Sequence, residues 1–562
     1  MRRTTLAAAS LIGAMGLFAP PSEAWAAESI KCKLEWQAAR DRGRPDGYAR
    51  YLKLCPTSTH AREARSFLDQ FTAPSAPEPR PSVVRVTRPT RPAAEPALAP
   101  PPFTRPAPIT SAPSLAQNPE DALNRAVTAF NANNNVDAFR FGNQACNGGK
   151  ARGCNIVGVL YETGGSVPIN LPRAAQLYKQ ACDGGNAFGC SNLGVLYDVG
   201  RGVAIDKPRA AVLYKQGCDG GSSAACTNLG ELYEDGEGVT ADITRAAQLF
   251  KQGCDAGSAR GCTDLGLLNE FGKGGPVDMT RAAQLYRQGC DGRDATGCTN
   301  LGYLTEIGRG LPINLASAAQ LYQRGCDGGV ARGCTNLGIL NEFGKGVPVN
   351  MPSAAQLYKK GCDGGNSSGC TNLGYLYEFG RGVTVNWVSA AQYYQKGCDG
   401  NDARGCANSG IMNEFGRGVA INLPLAAQLY KKGCDGGNAT GCGNLGLLNQ
   451  YGSGVPINLA NAAQLFKKGC DGNNFAACTN QGFFYETGKG VAVNLALAAQ
   501  LYKKACDGSN AQGCSNLAVR YEYGGGVTAN RQTAIELYRK ALRLSPTLQH
   551  AKDGLKRLGV TP

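Results

Sequence analysis

The stretch AAQLYKQACDGGNAFGCSNLGVLYDVGRGVAIDKPR, Ala174 to Arg209, decides the fold. The chain restates these 36 residues, with small edits, almost to its C-terminus. Cysteines mark the period: Cys146, Cys182, Cys218, Cys254, Cys290, Cys326, Cys362, Cys398, Cys434, Cys470 and Cys506 stand 36 apart. Each has a companion eight residues on, at Cys154, Cys190, Cys226, Cys262, Cys298, Cys334, Cys370, Cys406, Cys442, Cys478 and Cys514. A period between about 20 and 50 residues marks a solenoid, propeller or array. Here it predicts an all-α solenoid of about 12 helix pairs.

Within one copy Ala174, Leu177, Tyr178, Ala181 and Cys182 form one apolar helical stripe. A column of Asn and Asp from Asn170 to Asn530 precedes it and suits the N-cap, with Pro172, Pro208, Pro352 and Pro424 at tolerated early positions. The stripe ends at Asp183-Gly184, where glycine can close a helix in the left-handed conformation. A second helix starts near Ala187 and carries Cys190, Leu193, Gly194 and Tyr197 on one face. Gly194 leaves room for a neighbouring backbone, Gly200 and Gly202 end the helix, and Val203 with Ile205 tuck the return loop under the core. Neither stripe is buried by its own helix, so stacking must bury both. The Tyr or Phe column from Tyr178 to Tyr538 reads as core packing.

Residues 1–26 read as a signal peptide: Arg2 and Arg3, the apolar Leu6 to Phe18, then Ala24-Trp25-Ala26. Residues 27–71 suggest a small helical unit stapled by Cys32 and Cys55. Residues 72–118 hold 13 prolines and five arginines, and predict a disordered linker, with docking of its Pro-Arg segments on a partner as the alternative. The solenoid occupies 119–544, and 545–562 reads as a capping helix. No later stretch approaches the apolar length of a membrane span, so the mature chain is expected to be soluble, in the periplasm or outside the cell.

Export makes the 24 cysteines candidates for disulfides. Connectivity is not fixed by sequence, but one spacing repeated eleven times makes local pairing the simplest arrangement. Zinc favours pairs two to four residues apart with further Cys or His nearby, whereas here the only histidines are His60 and His550. No metal or cofactor is therefore expected, and the cysteines have no adjacent base to make them catalytic.

The motif C-x-N-L-G-x-L-Y-E-x-G-x-G-V followed by N-x-x-x-A-A-Q-L-Y-K-x-G-C-D-G-G resembles the Sel1-like repeat, a relative of the tetratricopeptide repeat. That repeat usually has small alanines where Cys182 and Cys190 stand. The cysteine-bearing form is similar to the Helicobacter cysteine-rich protein group, with one disulfide per repeat. The resemblance implies a right-handed superhelix of antiparallel helix pairs. It also implies protein or peptide binding on a concave face lined by the helix that opens at Cys190. For some relatives it implies penicillin binding and weak β-lactam hydrolysis.

The candidate binding residues form a polar column two positions after the second cysteine: Asn192, Asn228, Asp264, Asn300, Asn336, Asn372, Asn408, Asn444, Asn480 and Asn516. Asn is a mediocre helix former, and an amide offers donors and acceptors to an extended peptide backbone. The other reading is that each amide bonds a neighbour within the stack. An acidic column from Glu162 to Glu522 runs beside it and either meets a basic ligand or pairs with turn cations such as Arg201 and Arg381. The Gly-x-Gly turns lack a preceding strand and a following Lys-Ser/Thr, so they are helix caps, not phosphate loops. A formal charge of +15 with acids interleaved permits contact with an acidic envelope surface and argues against nucleic acid in an exported chain. Two classes follow: a non-catalytic protein- or peptide-binding scaffold, or a β-lactamase-like hydrolase. Against the second stand the absence of Ser-x-x-Lys and the lack of histidine in the repeats.

Overall fold

The computed structural model describes residues 118–561. The expected signal peptide, the 27–71 unit with Cys32 and Cys55, and the proline-rich stretch up to residue 117 lie outside them. The described residues contain 25 helices and no strand, in two compact units. One comprises residues 118–333 with Lys345–Val347; the other comprises Cys334–Gly344 with residues 348–561.

Both units are built from the same pair. An A helix such as Ala187–Val199 and a B helix such as Lys207–Asp219 have 13 residues each. Seven residues, Gly200 to Asp206, join A to B, and three, Gly220 to Ser222, join B to the next A, which accounts for the period of 36. Within each unit successive helices pack on one another, as Ala187–Val199 does on Lys207–Asp219, and A helices such as Ala187–Val199 and Ser223–Asp235 also meet. The terminal helix Gln549–Arg557 buries Ala551 and Leu555 and closes the end of the second unit.

The local chemistry explains each boundary. Asn170 and Asp206 accept from the backbone N–H three residues on, at 3.0 and 2.9 Å, as does the same position through Asn530. Such a cap stabilises a helix by about 1 kcal/mol. The A helices are capped as well: Asn186, Ser222, Asp294 and Asn366 each bond an early N–H of their helix. That second set was not foreseen from the sequence. The left-handed residue after a B helix is the second glycine, Gly185 at φ +81, while Gly184 stays at φ −82. In one copy an arginine, Arg293, takes this conformation at φ +71.

The core is one ring per pair. Tyr178, Tyr214 and Tyr286 are fully buried, as are Phe250 and Phe466 at the same position. Up to Tyr502, each ring lies against the A-helix glycine 20 residues earlier, so that a Cβ on Gly194 would stand 2.7 Å from the Tyr214 ring; Tyr538 has Ala518 there. The room Gly194 leaves is therefore taken by an aromatic face, not by a backbone. Val203 packs against the core as expected, but Ile205 is 65% exposed, because only its inner edge touches Gly200.

Cysteines close the frame between pairs. Cys218 at the end of a B helix is bonded to Cys226 in the first turn of the next A helix, with Cα atoms 4.6 Å apart. The same bond recurs from Cys146–Cys154 to Cys506–Cys514, and Cys326 and Cys334 are also disulfide-bonded. No free cysteine remains among the described residues.

Candidate functional site

The amide column lies along the A helices, one turn beyond the disulfide. In the first unit it is buried: Asn192, Asn228, Asp264 and Asn300 are all under 8% exposed. In the second unit Asn336, Asn372, Asn408, Asn444, Asn480 and Asn516 are half-buried and keep a solvent edge. Several bond inside the stack. Asn192 Nδ2 donates to Asn155 Oδ1 at 3.0 Å, Arg404 donates to Asn372 Oδ1 at 3.2 Å, and Gln512 donates to Asn516 Oδ1 at 2.7 Å. Asn300 accepts from Arg332, and Asp264 lies 3.9 Å from Arg260. Asn300, Asn444 and Asn516 also face the phenols of Tyr286, Tyr430 and Tyr502. Asn228 differs: it is fully buried, and among the described residues neither its Oδ1 nor its Nδ2 meets a hydrogen-bond partner.

The acidic column is engaged within the fold. The Tyr178 hydroxyl donates to Glu162 at 2.7 Å, Tyr358 to Glu342 at 2.7 Å and Tyr394 to Glu378 at 2.6 Å. The other carboxylate oxygen meets a cation from the next copy: Arg201 on Glu162 at 2.9 Å and Arg381 on Glu342 at 3.0 Å; Lys273 likewise meets Glu234 at 2.8 Å, where Phe250 brings no hydroxyl. Of the two phenylalanines in the column, Phe466 stands opposite Gln450, whereas Phe250 keeps an acid, Glu234. Burial first, and then the adjacent Glu162, pushes the Tyr178 phenol well above its ordinary range, so it stays a donor. Burial also raises Glu414, against the bond from Tyr430. The turn-cation pairing was one of the two sequence readings; the phenol bond was missed, since the tyrosines were read as packing alone.

Two further features escaped the sequence reading. A hydroxyl follows the second cysteine in most copies, and in three it ties the A helix to the cap of the next: Thr227 donates to Ser258 at 2.9 Å, Thr335 to Asn366 and Thr479 to Asn510 at 3.0 Å. The Trp387 ring, 39% exposed, lies under the Arg417 guanidinium at 5.0 Å. The signal for it was the single tryptophan among the repeats.

The arrangement offers amides, paired carboxylates and rings, with little acid–base chemistry. His550, read as outside the repeated core, bonds Ser515 at 2.7 Å, but Ser515 is fully buried in the hydroxyl column and is closed to a substrate. No group of His, Cys, Asp and Glu suited to a metal occurs among the described residues, and no described helix is long and apolar enough to cross a membrane.

Eleven segments match the Sel1 repeat model: 151–186, 187–222, 223–258, 259–294, 295–330, 331–366, 367–402, 403–438, 439–474, 476–510 and 511–546. In that frame a disulfide such as Cys218–Cys226 crosses a repeat boundary, joining the end of one repeat to the start of the next; Cys146, bonded to Cys154, lies just before the first match. Among solved structures, the chain is similar to c5321, a protective antigen of uropathogenic Escherichia coli strains with an SLR fold. The identity is 26%, over 75% of this chain and 90% of that one, at a TM-score of 0.62. A Sel1 repeat protein from Oxalobacter formigenes matches at 21% identity, over 54% and 88%, with a TM-score of 0.41. Helicobacter pylori cysteine-rich protein B matches at 33% identity, over 24% of this chain and 95% of its own, with a TM-score of 0.20. A comparison with curated proteins gives no match.

Proposed function

This chain belongs to the Sel1-repeat family, and from that premise we propose that it is an exported, non-catalytic scaffold that grips an extended protein or peptide segment along its A helices. The observation that carries the reading is the amide column, placed mid-helix in copy after copy despite its cost to helix stability. Six of its members, Asn336 to Asn516, keep an accessible edge in the second unit. An amide there offers a donor and an acceptor to a peptide backbone whatever its side chains, which suits a binder of segments more than of one sequence. Export is supported by the disulfides, which persist in oxidising compartments.

The test is a displayed library of unstructured peptides, panned on the oxidised full chain and on N408A/N444A/N480A. The triple variant is expected to lose at least tenfold in bound peptide at unchanged helicity. Equal capture by both proteins would end the reading.

A further inference from the structure

The two units differ in charge. Over the described residues the first holds 21 basic and 21 acidic side chains, and the second 21 and 13, a net charge of +8. One column accounts for much of the difference. The tenth residue of a B helix is Gln180, Gln216, Gln252 and Gln288 in successive copies of the first unit, followed by Arg324. In the second unit it is lysine in every copy, from Lys360 to Lys540, in or next to the last helical turn.

The stack does not require that charge. Lys432 and Lys504 donate to the carbonyls of Cys398 and Cys470 on the preceding B helix, each at 2.7 Å. Gln216 and Gln288 reach the same edge, 3.5 Å from the sulfurs of Cys182 and Cys254, and an amide also carries donors. The helix dipole favours a cation there equally in both units. Nor is the charge cancelled by nearby acids: Lys431 holds Asp435 at 2.6 Å, Lys467 holds Asp471 at 2.7 Å and Lys503 holds Asp507 at 2.6 Å. Each of these helix ends therefore keeps one positive charge in excess, and an ammonium that has made one bond has two donors left.

One turn earlier on the same face stand Gln428, Gln464 and Gln500, all exposed. In the first unit the equivalent Gln176 and Gln248 accept from Arg173 and Arg245, at 3.0 and 3.1 Å. The second unit has Leu425, Asn461 and Leu497 at the arginine position, and there the three amides have no hydrogen-bond partner among the described residues. Copy after copy thus presents one ammonium and one unengaged amide to solvent. Because Lys432 spans to the preceding B helix, successive cations step by about 10 Å, the spacing of packed helices. A nucleic-acid strand places a charge about every 3.4 Å, a much denser row. The second member of each pair is an amide, not the apolar side chain that seats a helix in a bilayer.

We propose that this B-helix face of the second unit binds a linear glycan with one acidic group per disaccharide, a repeat whose length matches the step between lysines. The ammonium pairs with the acid and the amide bonds sugar hydroxyls. The site lies on different helices from the amide column and does not depend on the peptide grip.

The test titrates a fluorescent hyaluronan oligosaccharide, which has one carboxylate per disaccharide, into the oxidised full chain. Binding is expected at about 0.05 M salt and should weaken at least tenfold in K432Q/K468Q/K504Q, which installs the first unit's residue, at unchanged helicity. K179Q/K215Q/K251Q removes the same charge from the first unit and should leave the affinity within twofold. Q428A/Q464A/Q500A should weaken binding at least threefold with every charge intact. No binding by the parent, equal losses in the two lysine triples, or tighter binding of single-stranded DNA or phosphatidylglycerol vesicles than of hyaluronan would overturn the proposal. All three variants retain Asn408, Asn444 and Asn480, so library peptides should still be captured. Joint loss of glycan and peptide would mean a single shared site and would also overturn it.

Discussion

Cutting one disulfide should loosen two helices and little else. In C398A/C406A the bond between the helices Trp387–Asp399 and Ala403–Phe415 is removed, at residues 1% and 0% exposed. The bond closes a loop of nine residues, for which loop-closure entropy gives about 2.6 kcal/mol. Since 1.4 kcal/mol is a factor of ten, amide exchange in these two helices should accelerate by about 70-fold. The variant should still fold, because the wider repeat family resembled here usually carries alanines at these places. Coupling in a repeat array runs between neighbours, so the distant helix Arg531–Leu544 should exchange at its original rate. Hydrogen exchange by mass spectrometry under non-reducing conditions reads both helices and the distant control together. Acceleration below about threefold at the cut, or equal acceleration at Arg531–Leu544, would refute the reasoning.

Three further outcomes follow from particular contacts. Gly374→Ala places a Cβ 2.8 Å from the Tyr394 ring, so the roughly 1 kcal/mol that alanine usually adds to a helix should reverse to a loss of about 1–2 kcal/mol in urea unfolding. Arg293→Gly relieves a left-handed arginine and should raise the unfolding midpoint, with up to about 1 kcal/mol gained; a lowered midpoint contradicts this. Glu414, whose carboxyl is raised in the folded state mainly by burial, binds its proton more tightly folded than unfolded and so loses stability as pH rises through that window. Glu414→Gln should therefore gain relative to the parent at pH 7 and lose the advantage near pH 4, in parallel urea titrations.

What could be read in the sequence was what depends on spacing along one chain segment. The 36-residue period, the cap at Asn170 and the eight-residue cysteine spacing all act within a few turns, and the helices and bonds fall where those rules put them. Contacts across helices were harder. The Tyr178–Glu162 bond spans 16 residues and depends on how two helices lie, so the tyrosine showed only its apolar character. For the same reason Gly194 was assigned a backbone neighbour where the Tyr214 ring sits, and the outward Ile205 was assigned to the core. In the amide column a single motif position holds residues of different exposure, Asn228 fully buried and Asn480 half-buried, and the repeat pattern carries no sign of that difference.

The boundary-crossing disulfides also set how the molecule answers a pull on its ends. Tension passes through sulfur at each bridge and bypasses the nine-residue loop between Cys398 and Cys406, where the Cα atoms are 4.3 Å apart. About 25 Å of slack per bridge is withheld from extension while the bond lasts. The unravelled chain thus has two lengths, a short one under oxidising conditions and a long one after reduction.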